Sequence, residues 1–296
     1  MTGSKPQLLS SEFLRKLEQL ELVSRKILTG RLKGERRSKR KGSSVEFADH
    51  KEYIIGDDLR FIDWNIFARL DKLFVKLFEE EEDLHFHILI DTSLSMDFGD
   101  PTKIVYAQKL AAALAFIGLA NLDRVVLWTF NENLGPSLPG SRGKQAMWRV
   151  NDFLANLKCD AGSNLTQSCK TFALRASGKG VCVLISDLLD KNGFESGLRY
   201  LLAKQMDVFV VHVMAGEEVD PELAGDLQLI DVEDEDIADI TVSAPLLARY
   251  RANVAAFQAS IKDYCSKRGI NYLFTTNQIP FEKIVLTYLR ERGLVR

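Results

Sequence analysis

Apolar residues change their spacing along this chain, and each change marks a different kind of structure. Between residues 10 and 28, Phe13, Leu14, Leu17, Leu20 and Ile27 recur at helical intervals, with Ser10 or Ser11 placed as a cap and Gly30 as a stop. This predicts an amphipathic helix within an N-terminal segment, 1–30. Residues 31–83 lack a clean period. Their one regular stretch, Lys72-Leu73-Phe74-Val75-Lys76-Leu77-Phe78, alternates as a half-exposed strand does, and Glu79 to Asp83 supply a solvated exit. A small, irregular, β-rich subdomain is expected there. From 84 to 296 short apolar runs alternate with helix-spaced segments. HFHILID (85–91), RVVLWTF (124–130), GVCVLIS (180–186) and VFVVHVM (208–214) read as strands, with others at 227–232 and 270–275 and a hairpin partner at 134–138. Helices are expected over 101–121, 143–157, 195–205, 244–268 and 280–293. The alternation points to the α/β class: a doubly wound, mostly parallel sheet of Rossmann type, covered on both faces.

Composition narrows the picture without redirecting it. The chain has 296 residues, 46% hydrophobic and 27% charged, with a net charge of −2. Such a balance excludes a disordered or collagen-like chain and a uniformly basic nucleic-acid binder. The longest apolar run, LAAALAFIGLA at 110–120, is too short to span a bilayer. The N-terminus turns charged before a signal-peptide core forms. Cys159, Cys169, Cys182 and Cys265 show no paired spacing, which suits reduced thiols. A cytoplasmic location is the expectation.

Ligands of open α/β sheets sit outside the carboxyl ends of the strands, so those ends are where chemistry is sought. HFHILI runs into Asp91-Thr92-Ser93-Leu94-Ser95, a carboxylate and two hydroxyls at i, i+2 and i+4. A second loop, read as another strand end, holds Gly162-Ser163-Asn164, and a third holds Ser186-Asp187. Hard oxygen donors of this kind suit Mg²⁺ or Mn²⁺. The bland alternative is that these are turn and cap residues.

Other chemistry has weaker support. No G-x-S-x-G elbow and no GxxxxGK[ST] loop occurs. An aspartyl phosphotransferase would want a carboxylate where Ser93 stands. A hydrolase activating water on a metal would have only Asp97 and Asp100 as nearby unassigned bases. His85 and His87 read as strand packing, His212 as a core histidine, and the cysteines as packing residues.

The order Asp-x-Ser-x-Ser, Gly-Ser, Ser-Asp resembles the metal-ion-dependent adhesion site of von Willebrand factor A domains. That resemblance implies one divalent cation held by Asp91, Ser93, Ser95, Ser163 and Asp187, with an acidic side chain of a partner completing the coordination. Ser163 stands where the family usually has Thr. Recognition, rather than catalysis, is what the resemblance implies.

A second resemblance lies in 31–83. Arg37-Ser38, Gly42, Glu46-Phe47, Glu52-Tyr53, Gly56-Asp57-Asp58, Arg60, Ile62-Asp63-Trp64 and Ala68-Arg69 are similar to the signature of the "domain of unknown function 58" family. There the segment precedes a von Willebrand A-like domain. Lys51 replaces a usual Arg. Many relatives begin with paired membrane helices, and this chain looks like a shorter branch without them. The association of that family with MoxR-type AAA+ ATPases implies an adaptor role with such an ATPase as partner.

The signature charges admit two readings. They form a structural ion-pair network, or they belong to an exposed docking face anchored by Trp64. The basic run RLKGERRSKRKG (Arg31, Lys33, Arg36, Arg37, Lys39, Arg40, Lys41) also has two: an electrostatic contact with nucleic acid or an anionic surface, or a solvated linker or dock for an acidic protein surface. It lacks the aromatic interleaving that base stacking needs. The acidic stretch 231–236 reads as a solvated loop.

Overall fold

The computed structural model describes residues 8–20, 45–80, 84–178, 180–230, 237–291 and 293–295. They fall into two compact units, one drawn from Met1–Thr29 with Leu84–Arg296 and the other from Gly30–Asp83.

The larger unit is built on six strands: β3 (His85–Asp91), β4 (Arg124–Phe130), β5 (Leu134–Ser141), β6 (Gly180–Ser186), β7 (Asp207–Met214) and β10 (Asn271–Thr276). Their order across the sheet is β10-β7-β6-β3-β4-β5, parallel throughout except for the β4–β5 hairpin. Strands buried on both faces need apolar residues at nearly every position, which is why β3, β6 and β7 are apolar without alternation. Neighbouring residues serve opposite cores. Phe86, Ile88, Ile90, Val181, Val183 and Ile185 face one cluster; Leu89, Cys182 and Leu184 face the other. The α/β expectation holds, with a mostly parallel central sheet and helices on both sides.

The first core is filled by the helix Lys103–Ala120, whose alanines at 111–113 and 115 are fully buried. Among the described residues it is the one helix long and apolar enough to cross a membrane, yet most of it is buried inside this fold. The helix Ser11–Leu17 packs in the same core. Ser10 Oγ accepts the amide of Phe13 at 3.2 Å, Leu17 is fully buried, and Phe13 meets Phe281 edge-to-face at 5.3 Å between ring centroids. This helix is shorter than its periodicity predicts. It ends at Leu17, and beyond it the Leu20 carbonyl accepts Asn121 Nδ2 at 2.8 Å. Ile27, Gly30 and the whole basic run lie outside the described residues, as does 231–236.

The second core contains the helices Leu165–Arg175, Glu195–Ala203 and Ala244–Lys267. The first of these was not expected from sequence. Nor was β9 (Ile237–Val242), which pairs antiparallel with β8 (Gly225–Ile230). The 143–157 helix divides into a 3-10 turn, Lys144–Ala146, and Met147–Ala155, and the last helical segment carries a π turn at Ile284–Tyr288.

In the smaller unit β1 (Val45–Glu52) pairs antiparallel with β2 (Phe74–Glu80), with a bulge between Phe47 and Asp49. Asp63 organises what lies between them. Its Oδ1 caps the helix Trp64–Leu70 by accepting the amides of Asn65 and Ile66 at 2.9 and 3.2 Å. Its Oδ2 lies 3.0 Å from His50 Nε2 and 3.3 Å from Lys76 Nζ. Asp58 caps the turn Leu59–Phe61 and clamps Arg60 at 2.6 Å, while Asp57 holds Lys51 and the Ile54 amide.

The His50 bond first, with smaller contributions from Lys76 and the two capping amides, takes the Asp63 carboxyl down to about 2 against the opposing effect of burial. A depressed carboxylate stabilises the fold above its unfolded pKa of about 4 and ceases to do so as pH falls through the folded value. The small unit should therefore loosen between about pH 4 and 2. An Asp63 carboxyl carbon resonance titrating near 4 instead would remove this hub from the account.

Candidate functional site

β3 is flanked by β4 on one side and β6 on the other, so the chain reverses its direction of strand addition between β3 and β6. Open α/β sheets leave a crevice at that point, and Asp91 and Asp187 stand at its two lips. Asp91 is fully buried. Its Oδ1 accepts both the amide (3.0 Å) and the hydroxyl (2.7 Å) of Ser93, and its Oδ2 accepts the hydroxyl of Ser186 at 2.6 Å. Ser93 Oγ is in turn 3.1 Å from Ser95 Oγ. Burial, then the charge of Asp187, push the Asp91 carboxyl up to about 7, although the serine hydrogen bonds pull the other way.

Asp187 has a different neighbour. Its Oδ2 takes a 2.7 Å bond from Lys103 Nζ, and its Oδ1 accepts the Leu189 amide at 3.2 Å. Lys103 has no exposed surface at all, and its ammonium is also 2.5 Å from Glu218 Oε1. Burial alone would lower the lysine pKa; Asp187 and Glu218 outweigh it, and the pKa is raised.

The Ser163 loop reaches the same place through backbone. The Asp160 amide donates to the Thr92 carbonyl and Leu94 to Ala161, both at 3.0 Å, while Asn164 donates to the Asn131 carbonyl beyond β4. This loop is not a strand end, as the sequence reading had it. It joins two helices, and Asn164 Oδ1 caps the second by accepting from Gln167 N at 2.9 Å. Ser163, half-buried, lines an open polar cleft of about 410 Å³ with Glu132, Gln167 and Lys191.

The structure thus gathers Asp91, Ser93, Ser95 and Asp187 at adjacent strand ends and sets Ser163 on the neighbouring loop. Sequence reasoning missed Lys103 and Glu218 and gave Ser186 no role. A lysine in the first turn of a helix opposes the helix dipole, and that misfit was the available signal for Lys103. Glu218 follows the carboxyl end of β7 and would have emerged had every strand end been read.

Among the described residues, no three His, Cys, Asp or Glu side chains come together as a metal-holding group. Any cation here would lean on hydroxyl oxygens. The donor set fits a hard divalent ion in one respect: two carboxylates, Asp187 and Glu218, share the one Lys103 ammonium, and the third, Asp91, is bonded only by serine hydroxyls and an amide. It resists in another, because Asp187 already has a cation.

The remaining candidates are placed elsewhere. Asp97 and Asp100 are exposed. His87 bonds Ser177 O at 3.2 Å, accepts the Trp128 indole N–H, and is held down to about 4 by burial. His212 Nδ1 lies 2.8 Å from the Tyr272 hydroxyl. The Cys159 thiol is pushed up to about 12 by burial and by Asp97 and Asp91.

Tyr53 is half-buried, its amide bonded to the Leu73 carbonyl, and Arg69 is exposed in the last turn of the helix that Asp63 caps. The Glu46 side chain lies outside the described set. Around these residues Ile54, Ile55, Leu59, Trp64 and Leu70 are all exposed, Ile55 by 95% and Trp64 by 63%.

Compared with known families, residues 49–260 match the one described as "Protein of unknown function DUF58". The match takes in most of the small unit and the loops that carry Asp91, Ser163 and Asp187. The chain belongs to the DUF58 family. Arg37, Gly42 and Glu46 fall before the DUF58 match. Curated relatives include "Uncharacterized protein Rv1480" of Mycobacterium tuberculosis and "Uncharacterized protein Mb1516" of Mycobacterium bovis. Each is 26% identical over 250 residues, covering 83% of this chain and 78% of the relative.

Among solved structures, the conserved hypothetical protein BatB from Bacteroides thetaiotaomicron aligns with a TM-score of 0.46 at 13% identity, over 71% of this chain and 98% of its own. An aerotolerance-related membrane protein from Bacteroides fragilis aligns with 0.47 at 15%, over 70% and 99%. Likenesses of this degree carry no argument about what the DUF58 chain does.

Proposed function

We propose that this chain is a non-enzymatic protein-binding module with a von Willebrand A-like larger unit, which presents a divalent cation to an acidic residue of a partner. The observation that carries the reading is the oxygen cluster of Asp91, Ser93 and Ser95 facing Asp187 across the β3–β6 crevice. Asp91, Ser93, Ser95, Ser163 and Asp187 would hold the ion. Mg²⁺ or Mn²⁺ would supply a coordination position that a partner's carboxylate completes. The chain's own part is to pre-arrange these oxygens, with Asp91, Ser93 and Asp187 buried: Ser186 fixes one side of the Asp91 carboxylate and Ser93 the other. Preorganisation of this kind lowers the cost of binding.

The exposed aromatic and aliphatic side chains around Trp64 support a second docking face on the small unit. Interfaces favour such anchors, and the charges beside them are satisfied locally, Asp58 by Arg60 and Asp57 by Lys51. A MoxR-type AAA+ ATPase is the partner that the family resemblance suggests, which makes the chain an adaptor in protein assembly or maturation.

Calorimetric titration with Mg²⁺ and Mn²⁺ tests the reading. One-site binding is expected, lost in Asp91→Ala while circular dichroism stays unchanged, and capture of a purified MoxR-type ATPase should require the ion and fail in the same variant. Capture that survives Asp91→Ala, or chelation, would overturn it.

A further inference from the structure

Lys103 is out of keeping with an adhesion-type cation site. A resident ammonium on one of the two carboxylates does part of what the metal would do. Its surroundings show that it is held from two sides. Toward the crevice it bonds Asp187 Oδ2 at 2.7 Å; away from it, Glu218 Oε1 at 2.5 Å. The Glu218 side chain retains 16% exposure, whereas those of Asp187 and Lys103 have 1% and 0%.

Glu218 is itself braced. Its Oε2 accepts the Ala215 amide at 2.7 Å, and its carbonyl accepts the Tyr250 hydroxyl at 2.7 Å. Asn277 ties the two ends of the arrangement together: its Oδ1 accepts the Gly216 amide at 3.0 Å, and its Nδ2 donates to the carbonyl of Pro101, two residues before Lys103. The ammonium therefore sits between two fixed carboxylates, one belonging to the proposed cation site and one not.

We infer that Lys103 is a built-in counter-ion that sets the cation affinity of the Asp91–Asp187 crevice, and that Glu218 sets how strongly Lys103 competes. The inference rests on the cation-site reading above. Two positive groups sharing Asp187 repel each other in a buried, weakly screened setting. The more of the ammonium that Glu218 takes up, the more of Asp187 is left for the ion. Removing the lysine charge and removing the glutamate charge must then act in opposite directions, which no merely structural role of the pair would produce.

Mn²⁺ titration of the full-length wild type, Lys103→Met and Glu218→Gln, each also followed by thermal melting with and without Mn²⁺, tests this. Lys103→Met should bind roughly tenfold to a hundredfold more tightly, within the usual range of coupling between sites. Its melting temperature should also depend more steeply on Mn²⁺. Glu218→Gln should bind more weakly, by about tenfold.

Unchanged or weaker binding in Lys103→Met, or unchanged or tighter binding in Glu218→Gln, would overturn the inference while leaving the cation site standing. Should Lys103→Met fail to fold, Glu218→Gln decides alone by the same criterion. Where the wild type itself shows no binding, Glu218→Gln has nothing to weaken, and binding seen only in Lys103→Met supports the inference. Absence of binding in the wild type and in every folded variant would remove the cation site itself, and the inference with it.

Discussion

Asp187→Ala is expected to cost the larger unit about 3–5 kcal/mol, the range for breaking a buried ion pair by deleting one partner. The substitution leaves the Lys103 ammonium, which has no exposed surface, with Glu218 as the carboxylate that remains to it. Asp91→Ala should be far milder, although Asp91 is just as buried and only a strand away. Its carboxylate is held by hydroxyls and an amide, and burial with the charge of Asp187 already disfavours its ionised form. Two aspartates that look equivalent as ligands are thus unequal as structural elements. Urea unfolding of the two variants side by side measures the difference. A loss under about 1 kcal/mol for Asp187→Ala would show that Lys103 finds other partners at little cost, as exposed ion pairs do.

Phe172→Ala should be of similar size, about 3–5 kcal/mol, through the cavity it opens in the second core. Phe172 is fully buried, and its ring stands edge-on to His87 at 5.3 Å and to Trp128 at 5.6 Å. These contacts pin the helix Leu165–Arg175 to β3 and β4, the strands that end at the site. Thermal melting reads the effect, and near-ultraviolet dichroism of Trp128 should flatten with it. A variant melting within a degree or two of the wild type would mean that the pocket collapses around the missing ring.

That helix also shows where the sequence was readable and where it was not. Leu165, Cys169 and Phe172 recur at i, i+4 and i+7, a helical stripe, but LTQSCKTFALR is short, the residues between them are all polar, and its one other large apolar residue, Leu174, is exposed. Its cap, Asn164, was absorbed into a Gly-Ser motif taken for a strand end. The central strands gave no such trouble, because burial on both faces leaves continuous apolar runs such as 85–91 and 180–186 that admit few other interpretations. β9 was lost for the opposite reason: four of its six residues are exposed, so it carries little pattern.

The site divides in the same way. Oxygen donors at strand ends follow from local sequence, so Asp91, Ser93, Ser95 and Asp187 could be placed at neighbouring loops in advance. The counter-charge could not, since Lys103 meets partners 84 and 115 residues away in the chain. In the small unit, Asp63 was recognised within a motif, but its joint grip on His50 and Lys76 depends on the β1–β2 register.

The edge-to-face pairing of Phe13 with Phe281 bears on the order in which the protein is made. Phe281 leaves the ribosome 268 residues after Phe13. At about 5–20 residues per second, the first helix waits on the order of tens of seconds for the ring that shelters it. During that interval Phe13 and Leu17 belong to no finished core. The segment 45–80, whose strand pairing is complete in sequence long before then, is free to form while they wait.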